Sequence, residues 1–346
     1  MKSSLTRRGM CLATSALLTL GLSTGAIAQD AEVEFRWSHH EPLDSIVDKV
    51  TRAIADDIEA ETQGRISIKV FPASQLGDWN EVSSQVQRGS VDFATQPVSS
   101  STDPRLQIRV LPYSVMNYDE AEAAYFGDDP YLFDLMAEMM AESDLTALGV
   151  VAQGFGGAGF RECPDVDIFD IDADKGGLRV RFPPGNQSWE NMVDAMGFAP
   201  TPVPWGELYL GLQTRLVDGQ VGGQPSSTYA NFRDVTDCWA QINTHFQNSF
   251  VFANAETFAE LSAEDQDLIR DITARHAEGS LEMARAEDQQ YMDLMKAEEG
   301  VVVLTPTDEE LAEIATAVRT SVWPLMDDVI GEDIMNTMKE RAGLIE

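Results

Sequence analysis

The chain has few cationic residues for its length. Among 346 residues, 24 lysines and arginines stand against 58 aspartates and glutamates, which gives a formal net charge of −34 at pH 7. A surface of this charge repels phosphate backbones and anionic lipids, so nucleic acids and anionic membranes are not expected as partners. An anionic small molecule would be repelled by the same field. A binding site for such a ligand therefore has to be locally basic, and the few arginines that the fold buries become the first candidates.

Long apolar runs are equally scarce. Only the first 28 residues combine a basic start, formed by Lys2, Arg7 and Arg8, with an apolar stretch and an A-x-A cleavage pattern at residues 26–28. Such a segment is typical of a signal peptide, so we expect residues 1–28 to be removed on export. The adjacent arginines leave the general secretory route and the twin-arginine route both open. No other run approaches the roughly 18 apolar residues that a transmembrane helix requires.

Cysteine is rare as well. Of three cysteines, Cys11 lies in the predicted signal peptide, so Cys163 and Cys238 remain. An even pair in an exported chain favours a disulfide between them. Two separate buried thiols are the alternative, because spacing alone does not show that two cysteines meet. A metal site is not expected, because no histidine pair with the spacing of metal ligands lies beside them.

Motifs for catalysis and for nucleotide binding are missing. The sequence contains no G-x-S-x-G elbow, no H-E-x-x-H motif and no phosphate-binding loop. A glycine-rich stretch over residues 154–159 lacks the spacing of a dinucleotide fingerprint, and no helix start follows it. We therefore expect no enzyme activity and no cofactor. Glycines at this point suit a hinge or a close approach of the backbone to a ligand.

Strand and helix patterns alternate along the chain. Residues 33–37 alternate between apolar and charged side chains, residues 46–58 follow helical spacing, and residues 66–70 alternate again. A second series of this kind starts near Gly159. This order predicts an α/β fold of two domains, each with a mixed, mainly parallel sheet.

The absence of a flexible linker between the two units implies several chain crossings, as in a hinged binding protein. We expect domain I to comprise residues 29–158 and 250–288, and domain II residues 159–249 and 289–346. A long helix near residues 262–296 would span both domains. The hinge is expected at the glycine stretch and at a second crossing near Phe250.

Two arginines mark the second unit. Residues 176–184 read GGLRVRFPP, and strand alternation places Arg179 and Arg181 on one face, opposite the apolar residues. Pro183 and Pro184 end the strand, because proline lacks the N–H that a sheet ladder uses. An arginine at a strand end that opens on a cleft can bind a carboxylate, because its planar guanidinium donates two parallel hydrogen bonds. The alternative is a surface arginine paired with an acidic side chain.

This segment and several others, taken in their order along the chain, resemble the segments of one known family. The matching segments are residues 71–77 (FPASQLG), 87–92 (QRGSVD), 111–113 (LPY), 159–161 (GFR), 176–184 (GGLRVRFPP) and 203–220 (VPWGELYLGLQTRLVDGQ). Each segment alone is weak, but their order is specific and covers most of the chain after residue 28. The chain thus resembles the solute-binding subunit of tripartite ATP-independent periplasmic (TRAP) transporters, of the C4-dicarboxylate-binding type.

The resemblance implies roles for individual residues. Arg181 matches the arginine that binds the ligand's carboxylate, and Arg161 matches a second arginine that many members place near the ligand. Arg179 matches a position that faces elsewhere. Trp205 occupies an aromatic position where a ring can wall the pocket, with a place in the core as the alternative.

The chain departs from the family at one point. Many members carry an asparagine that helps to hold the carboxylate, and the ungapped alignment puts Gly222 there. We expect the amide of Gln224 or the backbone at Gly222 to take its place. This departure leaves a monocarboxylate, a sugar acid, a sulfonate or a zwitterion open as ligand. Further candidates come from loops at strand ends: His40, Glu41, Trp79, Gln96 and Tyr229.

These observations together predict a periplasmic solute-binding protein that acts as a monomer. It would capture a small organic anion, a carboxylate or a sulfonate, in a cleft between the domains and deliver it to a TRAP permease. A binding protein that feeds a sensory receptor is one alternative, and a secreted enzyme acting on acidic small molecules is another. The sequence does not identify the ligand.

Overall fold

A computed structural model describes residues 32–101 and 103–345 of the chain. The predicted signal peptide, residues 1–28, lies outside the described residues. Within the described part, no helix combines the length and the apolar character that a membrane span requires.

The strands of the described residues form two sheets. In chain order they are β1 (Val33–Ser38), β2 (Ile66–Phe71), β3 (Phe93–Gln96), β4 (Leu145–Phe155), β5 (Ala158–Phe160), β6 (Arg179–Phe182), β7 (Ala199–Pro202), β8 (Gly219–Val221), β9 (Cys238–Ala240), β10 (Phe246–Asn254) and β11 (Val302–Leu304). The first sheet has the strand order β2-β1-β3-β10-β4, and the second has the order β11-β9-β5-β8-β6-β7.

Helices lie between most of these strands. They are α1 (Ile46–Glu61), α2 (Trp79–Gln87), α3 (Tyr118–Tyr125), α4 (Tyr131–Ala141), α5 (Gln187–Ala195), α6 (Trp205–Gln213), α7 (Pro225–Phe232), α8 (Ala255–Ala259), α9 (Ala263–Ala297), α10 (Asp308–Val322), α11 (Asp327–Ile330) and α12 (Glu332–Arg341). Three 3-10 helices cover Pro104–Val110, Arg233–Val235 and Trp323–Met326.

Both sheets are mixed and mainly parallel. In the first, β1 runs parallel to β2 and β3, while β10 lies antiparallel between β3 and β4. In the second, β6 runs parallel to β7 and β8, β9 runs parallel to β11, and β5 lies antiparallel between β8 and β9. The predicted α/β fold is therefore confirmed.

Local sequence explains the first strand and helix. Strand β1 alternates, and its Trp37 side chain is fully buried with Nε1 donating to Thr95 Oγ1 at 2.8 Å. Helix α1 begins after Ser45, whose hydroxyl accepts from the Asp48 backbone N–H. Its apolar residues at helical spacing are buried against the sheet, which fixes the helix on one face of the first sheet.

The chain passes between the sheets through two paired segments. The first joins β4 to β5, and the second, residues 241–245, joins β9 to β10. Gly156 N donates to His245 O at 3.0 Å, and Thr244 N donates to Gly156 O at 2.8 Å, so the two crossings run side by side. A Cβ at Gly157 would lie 2.4 Å from the Trp239 ring, so only glycine fits there. The crossing expected near Phe250 was misplaced, because Phe250 lies inside β10 and pairs with both neighbouring strands.

Helix α9 packs on both sheets and hydrogen-bonds to the strand end from which the first crossing starts. This 35-residue helix packs on β4 of the first sheet and its helix α1, and on β11 of the second sheet and the helix α7. Its Asp288 is buried, and Oδ2 accepts both the Tyr118 hydroxyl at 2.6 Å and the Phe155 backbone N–H at 2.9 Å. Burial raises the pKa of the Asp288 carboxyl to about 7, because the two hydrogen bonds only partly offset the loss of solvent.

The raised pKa predicts a pH-dependent stability at this junction. The folded protein holds the Asp288 proton more tightly than the unfolded chain does, so its contribution to folding is full below about pH 4 and is lost as pH rises through about 7. Asp288→Asn keeps an oxygen for both donors and removes the titration. We expect the variant's melting temperature, relative to wild type, to rise between pH 5 and pH 8.

A calorimetric pH series on both proteins measures this difference. Asp267→Asn, at an exposed position of the same helix, controls for the loss of one negative charge from an acidic chain. A difference between Asp288→Asn and wild type that stays constant over this range would contradict the raised pKa.

Cys163 and Cys238 form a disulfide, as the sequence predicts. The bond lies in the second lobe, by which we mean the part of the molecule built on the second sheet, as the first lobe is built on the first sheet. Cys238 is the first residue of β9, and Cys163 follows β5, the strand beside it. Their Cα atoms lie 5.0 Å apart across a separation of 75 residues. Closing a loop of that length removes freedom mainly from the unfolded chain.

Reduction of this bond should lower stability measurably. For a loop of this length the chain-entropy relation gives about 4 kcal/mol in the free energy of unfolding. Urea unfolding with and without reductant measures the loss, and intact mass after alkylation of unreduced protein should show no label on either cysteine. Two labels without reductant would mean that the bond is absent in solution.

Candidate functional site

A cavity of about 1030 Å³ lies between the two sheets. Its walls come from loops that follow parallel strands of both sheets, from the second crossing and from helix α9. Loops at the carboxyl ends of strands are the usual place for ligands in open α/β sheets. Six of the residues predicted from sequence line this cavity: His40, Glu41, Trp79, Trp205, Gly222 and Gln224.

The loop after β1 brings an ionised acid to the wall. Glu41 Oε1 lies 3.2 Å from His40 Nε2 and accepts from Gln153 Nε2 at 3.0 Å. Burial alone would raise the pKa of Glu41, but the bonds from His40 and Gln153 outweigh it and leave the pKa below its usual value. Glu41 therefore acts as a hydrogen-bond acceptor in the cavity.

Gln96 supports the wall without lining it. Its fully buried side chain donates Nε2 to the Trp79 carbonyl at 2.7 Å and to Ser83 Oγ at 3.2 Å. Both partners belong to the first turns of α2, which begins at Trp79 after the cap Asp78. Gln96 thus holds in place the turn that presents the Trp79 ring to the cavity.

Arg181 lies directly behind the cavity wall. Its side chain is 4% exposed, Nε donates to Val203 O at 2.8 Å, and its guanidinium lies 5.5 Å from the centre of the Trp205 ring. Burial lowers its pKa to about 10, and no acidic side chain of the described residues pairs with it. Arg179, two residues earlier, instead forms an ion pair with Asp218 at 2.9 Å. The two arginines of this strand thus have different surroundings.

Gly222 has a steric reason to be glycine. Its φ is 99°, and a Cβ there would lie 2.0 Å from the Trp189 ring. No side chain fits while Trp189 holds that place, so the asparagine that the resemblance led us to expect there could not be accommodated. Gln224, two residues on, lines the cavity and accepts from Ser227 Oγ at 3.3 Å through Oε1.

Two other predicted residues lie away from the cavity wall. Arg161 follows β5, and its nearest acid is Glu162 at 3.9 Å. Tyr229 on α7 donates its hydroxyl to Glu298 Oε1 at 2.8 Å. Neither side chain lines the cavity, although the Tyr229 ring lies 5.7 Å from the ring of Tyr291, which does line it.

The cavity also contains residues that the sequence reasoning did not propose. Arg109, Trp189, His245, Glu287 and Tyr291 all line it. Trp189 shares helical spacing with Met192, Val193 and Met196, a pattern that predicts a place in the core, and the charged sequence around Glu287 and Tyr291 predicts a solvated helix face. The spacing of four between Glu287 and Tyr291 places them on one helix face, and this was the available signal.

Within this group, Trp189 joins the two sides of the cavity. Its Nε1 donates to Val110 O at 3.0 Å, and its ring lies 4.7 Å from the ring of His245. Burial lowers the pKa of His245 to about 4, so this imidazole is neutral at ordinary pH.

The two lobes, the paired crossings and the cavity between them define a two-domain solute-binding protein. A family model described as bacterial extracellular solute-binding protein, family 7 (DctP), matches residues 37–326. The chain belongs to this family and is a solute-binding protein of the TRAP type.

Relatives match the sequence of this chain over nearly their whole length. The sialic acid-binding periplasmic protein SiaP of Vibrio cholerae is 24% identical, over 94% of this chain and 97% of its own. The ectoine/5-hydroxyectoine-binding protein UehA of Ruegeria pomeroyi is 26% identical, over 92% and 93%.

Solved structures agree in fold. An open, ligand-free TRAP solute-binding protein of Rhodobacter sphaeroides superposes with a TM-score of 0.78 at 20% identity, covering 91% of this chain and 100% of its own. A TRAP solute-binding protein of Chromohalobacter salexigens with bound D-glucuronate gives a TM-score of 0.72 at 22% identity, covering 89% and 98%.

Proposed function

We propose that this protein binds a small organic anion, a carboxylate or a sulfonate, in the cavity and delivers it to the membrane subunits of a TRAP permease. It would work as a monomer in the periplasm after residues 1–28 are removed. Arg181 is the proposed partner of the acid group, and the six predicted residues on the wall are the proposed surroundings of the ligand.

The observation that carries this proposal is the electrostatic state of Arg181. A buried guanidinium with no acid partner is unfavourable, because the cost of removing it from water is not offset. An acid group that enters beside Trp205 would supply the missing charge. The interaction would be strong, because it would be charge-assisted and shielded from water.

The names of related proteins support an acidic ligand. SiaP of V. cholerae is named for sialic acid, and the solved structures include one with D-glucuronate and one with succinate. UehA of R. pomeroyi, named for ectoine and 5-hydroxyectoine, extends the range to further solutes. These five ligands form a first screening panel for this chain.

Closure of two domains over the ligand completes the proposal. We assign residues 32–157 and 246–288 to one domain and residues 158–245 and 289–345 to the other, with α9 packed on both; the expected boundaries at 158/159 and 249/250 are moved so that β5 and β10 each stay within one sheet. The crossings at Gly156 and at residues 241–245 are where the backbone would bend.

Replacing Arg181 should abolish most of the affinity. Arg181→Ala should cost about 2–5 kcal/mol, which is roughly 30-fold to several-thousand-fold in Kd. Arg181→Lys should also weaken binding, because lysine keeps the charge but lacks the planar fork. Isothermal calorimetry with the panel member that gives the largest thermal shift measures both effects.

Arg179→Ala is the matched control on the same strand. Its ion pair with Asp218 is half-exposed, so its loss should change Kd by less than about fivefold. A loss below about fivefold for Arg181→Ala as well would mean that the acid group is held elsewhere.

Ligand should make the protein more compact. If the crossings act as a hinge, the radius of gyration from small-angle scattering should decrease when a saturating panel ligand is added. An unchanged radius at full occupancy, with binding shown by calorimetry on the same sample, would contradict domain closure.

A further inference from the structure

Arg109 is a cation that lines the cavity, whereas Arg181 lies behind its wall. Arg109 lies near the end of the 3-10 helix Pro104–Val110, which packs against β10 of the first sheet, whereas Arg181 comes from β6 of the second. Arg109 is partly buried and lines the cavity. The two arginines therefore reach the ligand region from opposite lobes.

The hydrogen bonding of Arg109 is incomplete within the described residues. Nη1 donates to the Asn248 carbonyl at a long 3.3 Å, and no acidic side chain pairs with the guanidinium. Its titratable neighbours are the Tyr125 hydroxyl and the neutral imidazole of His245. Burial lowers the pKa of Arg109 to about 10, so the side chain is still charged at neutral pH.

Arginines held by acid partners look different, and Arg319, which is buried away from the cavity without one among the described residues, donates Nε to the Tyr113 carbonyl at 2.9 Å. Arg65 donates two hydrogen bonds to Asp265, at 2.6 and 3.0 Å, and Arg105 pairs with Asp103. Five N–H donors and a full charge are costly to desolvate without such a partner. Glu41, the ionised acid described on the cavity wall, does not fill this role, because it is already engaged by His40 and Gln153.

We propose that Arg109 is a second anion-binding residue of this cavity and selects ligands with two acidic groups over matched ligands with one. The inference rests on the proposed function, because it assigns Arg181 to one acid group and Arg109 to the other. A ligand with a single acid group would leave one of the two cations uncompensated after the cavity closes.

Two matched ligand pairs test this selectivity. D-Glucarate has one more carboxylate than D-glucuronate, and succinate differs from succinamate by the replacement of one carboxylate with an amide. Calorimetry on wild type should give tighter binding of the diacid in at least one pair. Arg109→Met should weaken that diacid at least about 30-fold, while the monoacid changes less than about fivefold. Arg109→Lys should retain part of the preference, because the charge remains.

The melting temperature without ligand distinguishes a binding role of Arg109 from a structural role, because loss of a structural arginine would lower it. Within the part of the chain that the structure describes, Arg109 has no acid partner to lose, and methionine replaces its partly buried charge with an apolar side chain that costs less to remove from water. The ligand-free melting temperature of Arg109→Met should therefore equal or exceed that of wild type. Arg88→Met, which removes an exposed arginine away from the cavity, controls for the change in net charge.

The outcomes separate this proposal from the proposed function. If wild type binds acids but Arg109→Met keeps the full diacid preference, or if only monoacids bind, the role of Arg109 is overturned and the proposed function stands. A lower melting temperature with an unchanged preference would make Arg109 a structural residue. If no acid of the screening panel or of the two pairs binds wild type, the proposed function falls together with this inference.

Discussion

The two hydrogen bonds that Asp288 accepts tie three parts of the protein together. Tyr118 belongs to α3, Phe155 ends β4, and Asp288 itself belongs to the long helix α9. Phe155 is also the last residue of the first sheet before the chain crosses to the second. The position of the second lobe thus depends on a buried carboxyl group whose pKa is raised to about 7 by loss of solvent. Neighbouring crossings, paired through Gly156 and His245, then set where the cavity can form.

Local patterns were sufficient to predict the elements but not the way distant segments meet. Alternation over residues 33–37 predicts β1 because that strand has one buried face and one exposed face. Arg181 could be singled out because the prolines after it end the strand. Arg109 could not, because its place at the cavity depends on how distant segments meet, and its nearest hydrogen-bond partner, Asn248, is 139 positions away in the chain. The crossing near Phe250 was misplaced because the apolar run through β10 contains no local mark of where a strand enters a sheet.

Gly222 is a second position whose cause lies in a distant segment and could not be predicted from local sequence. Related sequences led us to expect an asparagine, and its absence put the ligand class in question. The structure supplies a steric cause, since the Trp189 ring occupies the space that any side chain would need. Trp189 in turn bonds to Val110, next to Arg109. The ring that excludes a side chain at Gly222 is thus hydrogen-bonded to the residue that follows Arg109.

Within the described residues, Arg181 and Arg319 are buried without a carboxylate partner, and such burial costs stability. Most of the chain's arginines have carboxylate partners at the surface, as Arg179 has in Asp218. Arg181 has none among the described residues, and a replacement that lowered affinity could raise stability. Such a trade is common where a site must be ready for a charged ligand before the ligand arrives.

The disulfide between Cys163 and Cys238 closes a covalent ring of chain. That ring contains β6, α5, β7, α6, β8 and α7, and so it includes Arg181, Trp189, Trp205 and the glycines at 222 and 223. A protease that cut one exposed loop anywhere inside this ring would leave the polypeptide in one covalent piece. The wall that the second lobe contributes to the cavity is thus the part of the molecule from which a single cut releases no fragment.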